Sequence, residues 1–258
     1  PPGSTLFPYP TLFRSGAGLM NLPVCLISVG IGLGYADAGP THYATEDFAC
    51  FRSIVGSSIY TPADSISTKL IAKKLLEKPK FSYIRLDRDV LPKISPEITN
   101  VDLDKGFKVF GNINNDKIVL ISHGRMLHKC LEIYNNNLNK FVCVDILRSK
   151  PFPKDLPKEI SSCKGIVVVD EQSPSGNLSS CVFEGFSEQS YFPQIISRRS
   201  RSAVRSSIAS PARTRLISGG VPLRKRSSIP ARWGGSLRLI VAQPQPAVVK
   251  LSSGMSAR

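Results

Sequence analysis

None of the six cysteines in this chain stands within four residues of another, so no zinc-ligand spacing and no Cys-x-x-Cys redox pair is present. Cys25, Cys50, Cys130, Cys143, Cys163 and Cys181 sit mostly among aliphatic residues, where a free thiol behaves as a small hydrophobe. A reducing, cytoplasmic compartment is the simplest expectation. Acidic residues are missing altogether from Ser197 to Arg258, a stretch that holds 13 of the 34 lysines and arginines. The net charge of +15 therefore belongs to the last quarter, and the preceding residues are nearly neutral. That distribution argues against a nucleic-acid surface on most of the chain. A membrane span is missing too. Residues 16–36 are mostly apolar, but Pro23, several glycines and the following Asp37 interrupt what would need about 20 apolar helix formers. No basic segment stands directly before the apolar run, as a signal peptide would require. No internal repeat is evident.

What is present reads as two α/β units. Residues 1–20 carry closely spaced prolines and no helical or strand period, and residues 5–15 resemble a translated sequencing adapter. They are expected to be a non-native or disordered leader. Leu22 to Val29 reads as a buried strand and Tyr43 to Ile54 as a helix, with Thr41 as its cap. Ser57 to Thr61 reads as a short strand. Asp64 caps an amphipathic helix to about Lys78, whose stripe is Ile66, Leu70, Ile71 and Leu75. Phe81 to Leu86 is a third strand. This alternation predicts a parallel α/β domain over residues 21–92. Residues 93–106, with prolines and no period, read as a linker. Residues 107–196 form a second α/β unit, with strands at Lys108–Phe110, Lys117–Ile121, Phe141–Ile146 and Gly165–Asp170. Its helices are expected at Met126 to Asn136, Asp155 to Ile160 and Asn177 to Ser187. Unbroken apolar runs such as Ile166 to Val169 suit parallel strands buried on both faces. Residues 197–258 are rich in Arg, Ser and Pro and are expected to be disordered or out of frame. Were the tail genuine, Arg224, Lys225 and Arg226 would be its nucleic-acid contact.

The stretch from Gly34 to His42 hands the first strand to the first helix, where open α/β sheets place ligand loops. It brings His42 to the mouth of a sheet. Read alone, that histidine fits either a functional role or simple packing on the first helical turn. His123 and His128 read as structural.

Five segments in order resemble one family. Gly39-Pro40-Thr41-His42 with Glu46-Asp47, then Thr61-Pro62-Ala63-Asp64, and then Tyr83-Ile84-Arg85-Leu86-Asp87-Arg88 are similar to the C-terminal section or subunit of transketolases. Asp145-Ile146-Leu147-Arg148-Ser149-Lys150-Pro151 resembles the family's D-L-R-T-I-K-P segment. Asp170-Glu171-Gln172 followed by Gly176-Asn177-Leu178 resembles its E-E-H…G-G-L-G segment. The resemblance covers residues 20–196. Deoxyxylulose-phosphate synthases and the β subunits of 2-oxo-acid dehydrogenases are similar in fewer of these features.

The resemblance implies the later half of a thiamine-diphosphate pyrimidine-binding domain, followed by a transketolase-type C-terminal domain. It implies transfer of a two-carbon ketol unit between sugar phosphates, with His42 lining the active site and Arg88 holding the substrate phosphate. A guanidinium fork fits phosphate oxygens, and histidine suits proton handling near neutrality. Without the resemblance, Arg88 would read as a surface partner of Asp87 or Asp89. Asp37 would contact a substrate hydroxyl, although Ala38 separates it from the Gly-Pro-Thr-His turn. Thiamine diphosphate and Mg²⁺ would be held largely elsewhere, because the family's G-D-G…N motif and activating glutamate have no counterpart in this sequence. An N-terminal section or subunit, in a dimer or heterotetramer, is the implied partner. The chain by itself is then expected to be inactive. The other readings are a nucleic-acid-associated protein acting through the basic tail and a non-catalytic scaffold homologue.

Overall fold

Two sheets, each mostly parallel, meet at the carboxyl ends of their strands. The computed structural model describes residues 12–94, 96–188 and 195–199. The basic-tail reading, with Arg224 to Arg226, lies outside the described residues.

The first sheet runs, in spatial order, β1 (Cys25–Val29), β3 (Ser82–Leu86), β2 (Ser58–Tyr60) and β7 (Arg148–Lys150). Strand β3 pairs in parallel with β1 on one side and β2 on the other. Helix α1 (Asp47–Ser53) covers one face, where Phe48, Ile59 and Tyr83 pack together. Helix α2 (Ser65–Glu77) covers the other, with Ile71 and Leu75 against Tyr60 and Ile84. The Asp64 cap expected from the sequence is a full capping box: Asp64 Oδ1 accepts the Ser67 N–H at 2.8 Å, and Ser67 Oγ accepts the Asp64 N–H at 3.2 Å.

The second sheet runs β4 (Phe107–Phe110), β6 (Phe141–Ile146), β5 (Ile118–Ser122), β8 (Gly165–Asp170) and β9 (Ile195–Arg199). Strand β6 pairs antiparallel with β4 and parallel with β5. Strand β8 joins β5 to β9, so the sheet runs past the boundary expected at residue 196. Val119, Ile121, Val142 and Val144 face one core, while Leu120 and Cys143 face the other. This alternation between two buried faces explains the unbroken apolar runs. Helix α4 (Arg125–Asn135) covers the second face through Leu127 and Cys130. Helices α5 (Leu156–Glu159) and α6 (Leu178–Ser187) cover the first.

Several expectations need correction. Strand β1 is not buried: its side chains alternate between exposed and half-buried, with Ile27 62 % and Val29 55 % exposed, because nothing among the described residues covers its outer face. Cys25 and Cys50 are exposed, while the other four cysteines are buried. Helix α1 begins at Asp47 rather than Tyr43, since reciprocal backbone bonds between Gly32 and Ala44, each 3.0 Å, hold the preceding residues away from helical geometry. Thr41 therefore caps no α-helix; it lies within a 3₁₀ turn, Pro40–His42. The expected linker is not featureless. It contains α3 (Asn100–Lys105), capped by Thr99 and packed through Leu103 onto α2. Residues 12–19 of the expected leader form a wide helical segment whose Ala17 is buried.

A short strand unforeseen in the sequence binds the two units. Strand β7 follows the second sheet's β6 in sequence but pairs antiparallel with β2 of the first. Lys150 Nζ donates to the carbonyls of Arg52, at 2.8 Å, and Ile54. Arg52 in turn donates to the Gly176 carbonyl at 3.0 Å and pairs with Glu184 on α6.

Candidate functional site

The loop after β1 and the end of β3 lie side by side, because β1 and β3 are parallel neighbours. The Gly30 N–H donates to the Leu86 carbonyl at 2.9 Å, which fixes the start of that loop against the strand end. From there the chain turns through Tyr35 and Asp37 into the Pro40–His42 turn. Gly39, with φ of 81°, supplies the left-handed backbone this turn needs.

Three residues singled out from the sequence converge there. Arg88, just past β3, pairs with Asp37, and its guanidinium lies over the Tyr35 ring, 4.8 Å from the centroid. The pair is exposed, with side chains 38 % and 67 % accessible, and Arg88 holds the Asp37 carboxyl below its usual range. His42 also lies beside Tyr35, ring centroids 6.0 Å apart, with Nδ1 3.0 Å from Thr41 Oγ1. The partner of Arg88 is thus Asp37, not Asp87 or Asp89. The result is an open, mixed-charge patch with a fork-shaped cation, an imidazole and a carboxylate around one aromatic ring. Such a set can grip an anionic group and offer hydrogen bonds to nearby hydroxyls.

Beneath the patch lies a buried ionic layer that sequence reading missed. Arg85, fully buried, forks onto Asp47 through Nε at 2.8 Å and Nη2 at 3.1 Å. Tyr83 donates to the same carboxylate at 2.8 Å and stacks on Phe51 at 3.8 Å. Burial, with Asp47 beside it, pushes the Tyr83 hydroxyl far above its ordinary range. Across the domain boundary, Arg125 Nε stands 3.3 Å from Asp87 Oδ2. His123 is buried 3.7 Å from Asp170, and burial holds its imidazole below its ordinary pKa. His128 bonds the Ala63 carbonyl at 2.7 Å, so neither of these two histidines reaches the exposed patch. Asp47, Arg85 and Asp87 all fall inside motifs visible in the sequence, but their partners could not be read from it.

Residues 9–93 match the family described as "Transketolase, pyrimidine binding domain"; the match starts inside the segment set aside as leader. The chain is 27 % identical over 177 residues to transketolase-like protein 1 of Mus musculus, covering 66 % of this chain and 29 % of that protein. It is 26 % identical over 174 residues to one subunit of the apulose-4-phosphate transketolase of Phocaeicola vulgatus, covering 64 % of this chain and 54 % of that subunit. A solved split-gene transketolase, described as an inactive β4 tetramer, superposes with a TM-score of 0.60 at 26 % identity, over 72 % of this chain and 60 % of that one. Residues 9–93 form a transketolase-type pyrimidine-binding domain, and the chain as a whole is similar to a fragment of transketolases. It spans under a third of the mouse relative's length. The first unit is accordingly a thiamine-diphosphate-type pyrimidine-binding domain, matched over residues 9–93.

The family's cofactor sets a test of fit. Among the described residues no three His, Cys, Asp or Glu side chains are grouped so as to hold a metal ion. Among the described residues, no helix is long and apolar enough to cross a membrane.

Proposed function

We propose that this chain supplies the sugar-phosphate wall of a transketolase-like active site, and that ketol transfer requires a second section or subunit. The observation that carries this reading is the convergence of Asp37, His42 and Arg88 on Tyr35 at the carboxyl ends of two parallel strands. Arg88 grips the phosphate, its fork backed by the Tyr35 ring. Its exposed pair with Asp37 is open to exchange, so an arriving phosphate displaces the carboxylate. Asp37 is then free to accept a hydrogen bond from a substrate hydroxyl. His42, beside the same ring, offers a hydrogen bond to a substrate oxygen. Thiamine diphosphate supplies the carbanion chemistry when bound. Its metal and diphosphate seat belongs to the partner section, in a dimer or heterotetramer. The similarity to a split-gene transketolase whose β4 tetramer is inactive supports such a division of labour.

The enzymatic test is direct. The purified chain with thiamine diphosphate and Mg²⁺ is expected to show no ketol transfer. Co-expression with a transketolase N-terminal section is expected to generate activity that falls on His42→Ala and Arg88→Ala. Activity of the chain alone, or a reconstituted activity indifferent to both variants, would overturn the proposal.

A further inference from the structure

The two walls of the candidate site are tied from below by the second domain. One wall is the loop from Gly30 to His42, which carries Asp37 and His42. The other is the end of β3, which carries Arg88. Glu171, directly after β8, is 6 % exposed and lies under the first wall. Its carboxyl faces the Leu33 backbone, and its side chain fills the space where a Cβ on Gly32 would sit. With φ of +57°, Gly32 is also in backbone territory that suits glycine. Arg125, at the first position of α4, lies under the second wall and faces Asp87, whose side chain is 2 % exposed. Asp87 Oδ1 also accepts the Asp89 N–H at 2.9 Å, closing a tight turn around Arg88. Arg125 also lies near enough to act on the charge of Glu171. The remaining charged groups acting on Glu171 are Asp170, beside it, and Asp87.

We infer that Glu171 and Arg125 are positioning residues: they hold the His42 loop and the Arg88 turn in register, making the second domain part of the site's scaffold. This rests on the sugar-phosphate reading for its functional meaning, but its geometry is testable without any ligand. No other contact from the second domain reaches both walls among those described above. Arg52, Lys150 and Thr45 tie the domains at α1 and its approach, away from the Arg88 turn.

The test is hydrogen exchange of the full chain, read in peptides covering 30–39 and 86–89, with α2 and β5 as internal references. Glu171→Ala is expected to speed exchange in 30–39 by about tenfold or more while the references stay protected. Glu171→Gln keeps an oxygen facing the Leu33 backbone and is expected to restore protection to within about threefold. Arg125→Ala should loosen 86–89 in the same selective way, with Arg125→Lys intermediate. If Glu171→Ala does not fold, Glu171→Asp, one methylene shorter, carries the same comparison. Unchanged exchange at 30–39, loss of protection everywhere, or no rescue by Gln would overturn the inference. A titration of the same proteins with inorganic phosphate separates the two claims. Selective loosening without phosphate binding leaves the brace standing and refutes the functional reading. Phosphate binding with no loosening does the reverse.

Discussion

Removing Arg85 should cost the fold more than any surface change. Its guanidinium is fully buried, forks onto Asp47 at 2.8 and 3.1 Å, lies 5.0 Å from the Phe48 ring centre and reaches Thr61 Oγ1 at 3.4 Å. Breaking one partner of such a pair strands the other, which typically costs about 3–5 kcal/mol. Asp47 keeps the Tyr83 hydroxyl, and its side chain is 15 % accessible, which places Arg85→Met near the lower bound. At about 2–4 °C per kcal/mol for a chain of this size, a loss of about 3 kcal/mol lowers Tm by about 6–12 °C. Replacing both partners with apolar residues, Arg85→Met with Asp47→Leu, removes the stranded charge, and Tyr83 retains its 2.8 Å partner Ser28. The double variant is therefore expected to be more stable than Arg85→Met alone, with a coupling of about 2 kcal/mol. Urea unfolding followed by circular dichroism on the wild type, both single variants and the double variant measures this cycle. A cost below about 1 kcal/mol for Arg85→Met, or simple additivity in the double variant, would refute the reasoning.

Other outcomes follow from particular side chains. Burial raises the Glu171 carboxyl to about 7, so the folded state holds a proton that the unfolded chain releases near pH 4.3. This contribution is full below the unfolded value and disappears as pH rises through 7. The order of magnitude is about 3 kcal/mol. His123, buried with a lowered pKa, acts oppositely: its contribution is present above about 6.5 and lost as pH falls. The difference in urea stability between wild type and Glu171→Gln, taken at pH 5 and pH 8, isolates the glutamate. Asp64→Ala removes the α2 cap and the acceptor for the Ile94 N–H at 3.0 Å, and a loss of about 2 kcal/mol is expected in the same assay. In a thiol titration of the native protein, Cys25 and Cys50 should react and the four buried cysteines should wait for denaturant.

Legibility from sequence followed how local the physics was. Strand β8, the cap at Asp64 and the helix after Asn177 could be read almost to the residue, because apolar runs and capping side chains act within a few positions. Strand β1 misled, since an apolar run does not say whether its outer face is covered, and Ile27 and Val29 are open. The start of α1 was misplaced because its limit is a backbone pairing between Gly32 and Ala44, invisible in side-chain pattern. Strand β7 is three residues, Arg-Ser-Lys, and has no period to detect. At the site, His42, Arg88 and Asp37 were nameable from motif likeness, and the structure gathers them around one ring. Their mutual pairing was not nameable, because it depends on two strands lying side by side. Glu171 and Arg125 were hidden for the same reason: each supports a wall far from it in sequence.

The central claim is that Arg88 is the anion grip of this surface, and an NMR titration tests it most directly. Fructose 6-phosphate or inorganic phosphate, added to uniformly ¹⁵N-labelled chain, is expected to shift the amides of residues 35–42 and 87–89 saturably. The shifts should vanish in Arg88→Ala, and Asp37→Asn should strengthen inorganic phosphate binding by freeing the guanidinium. Saturable shifts that survive Arg88→Ala, or none in the wild type at millimolar phosphate, would contradict the account.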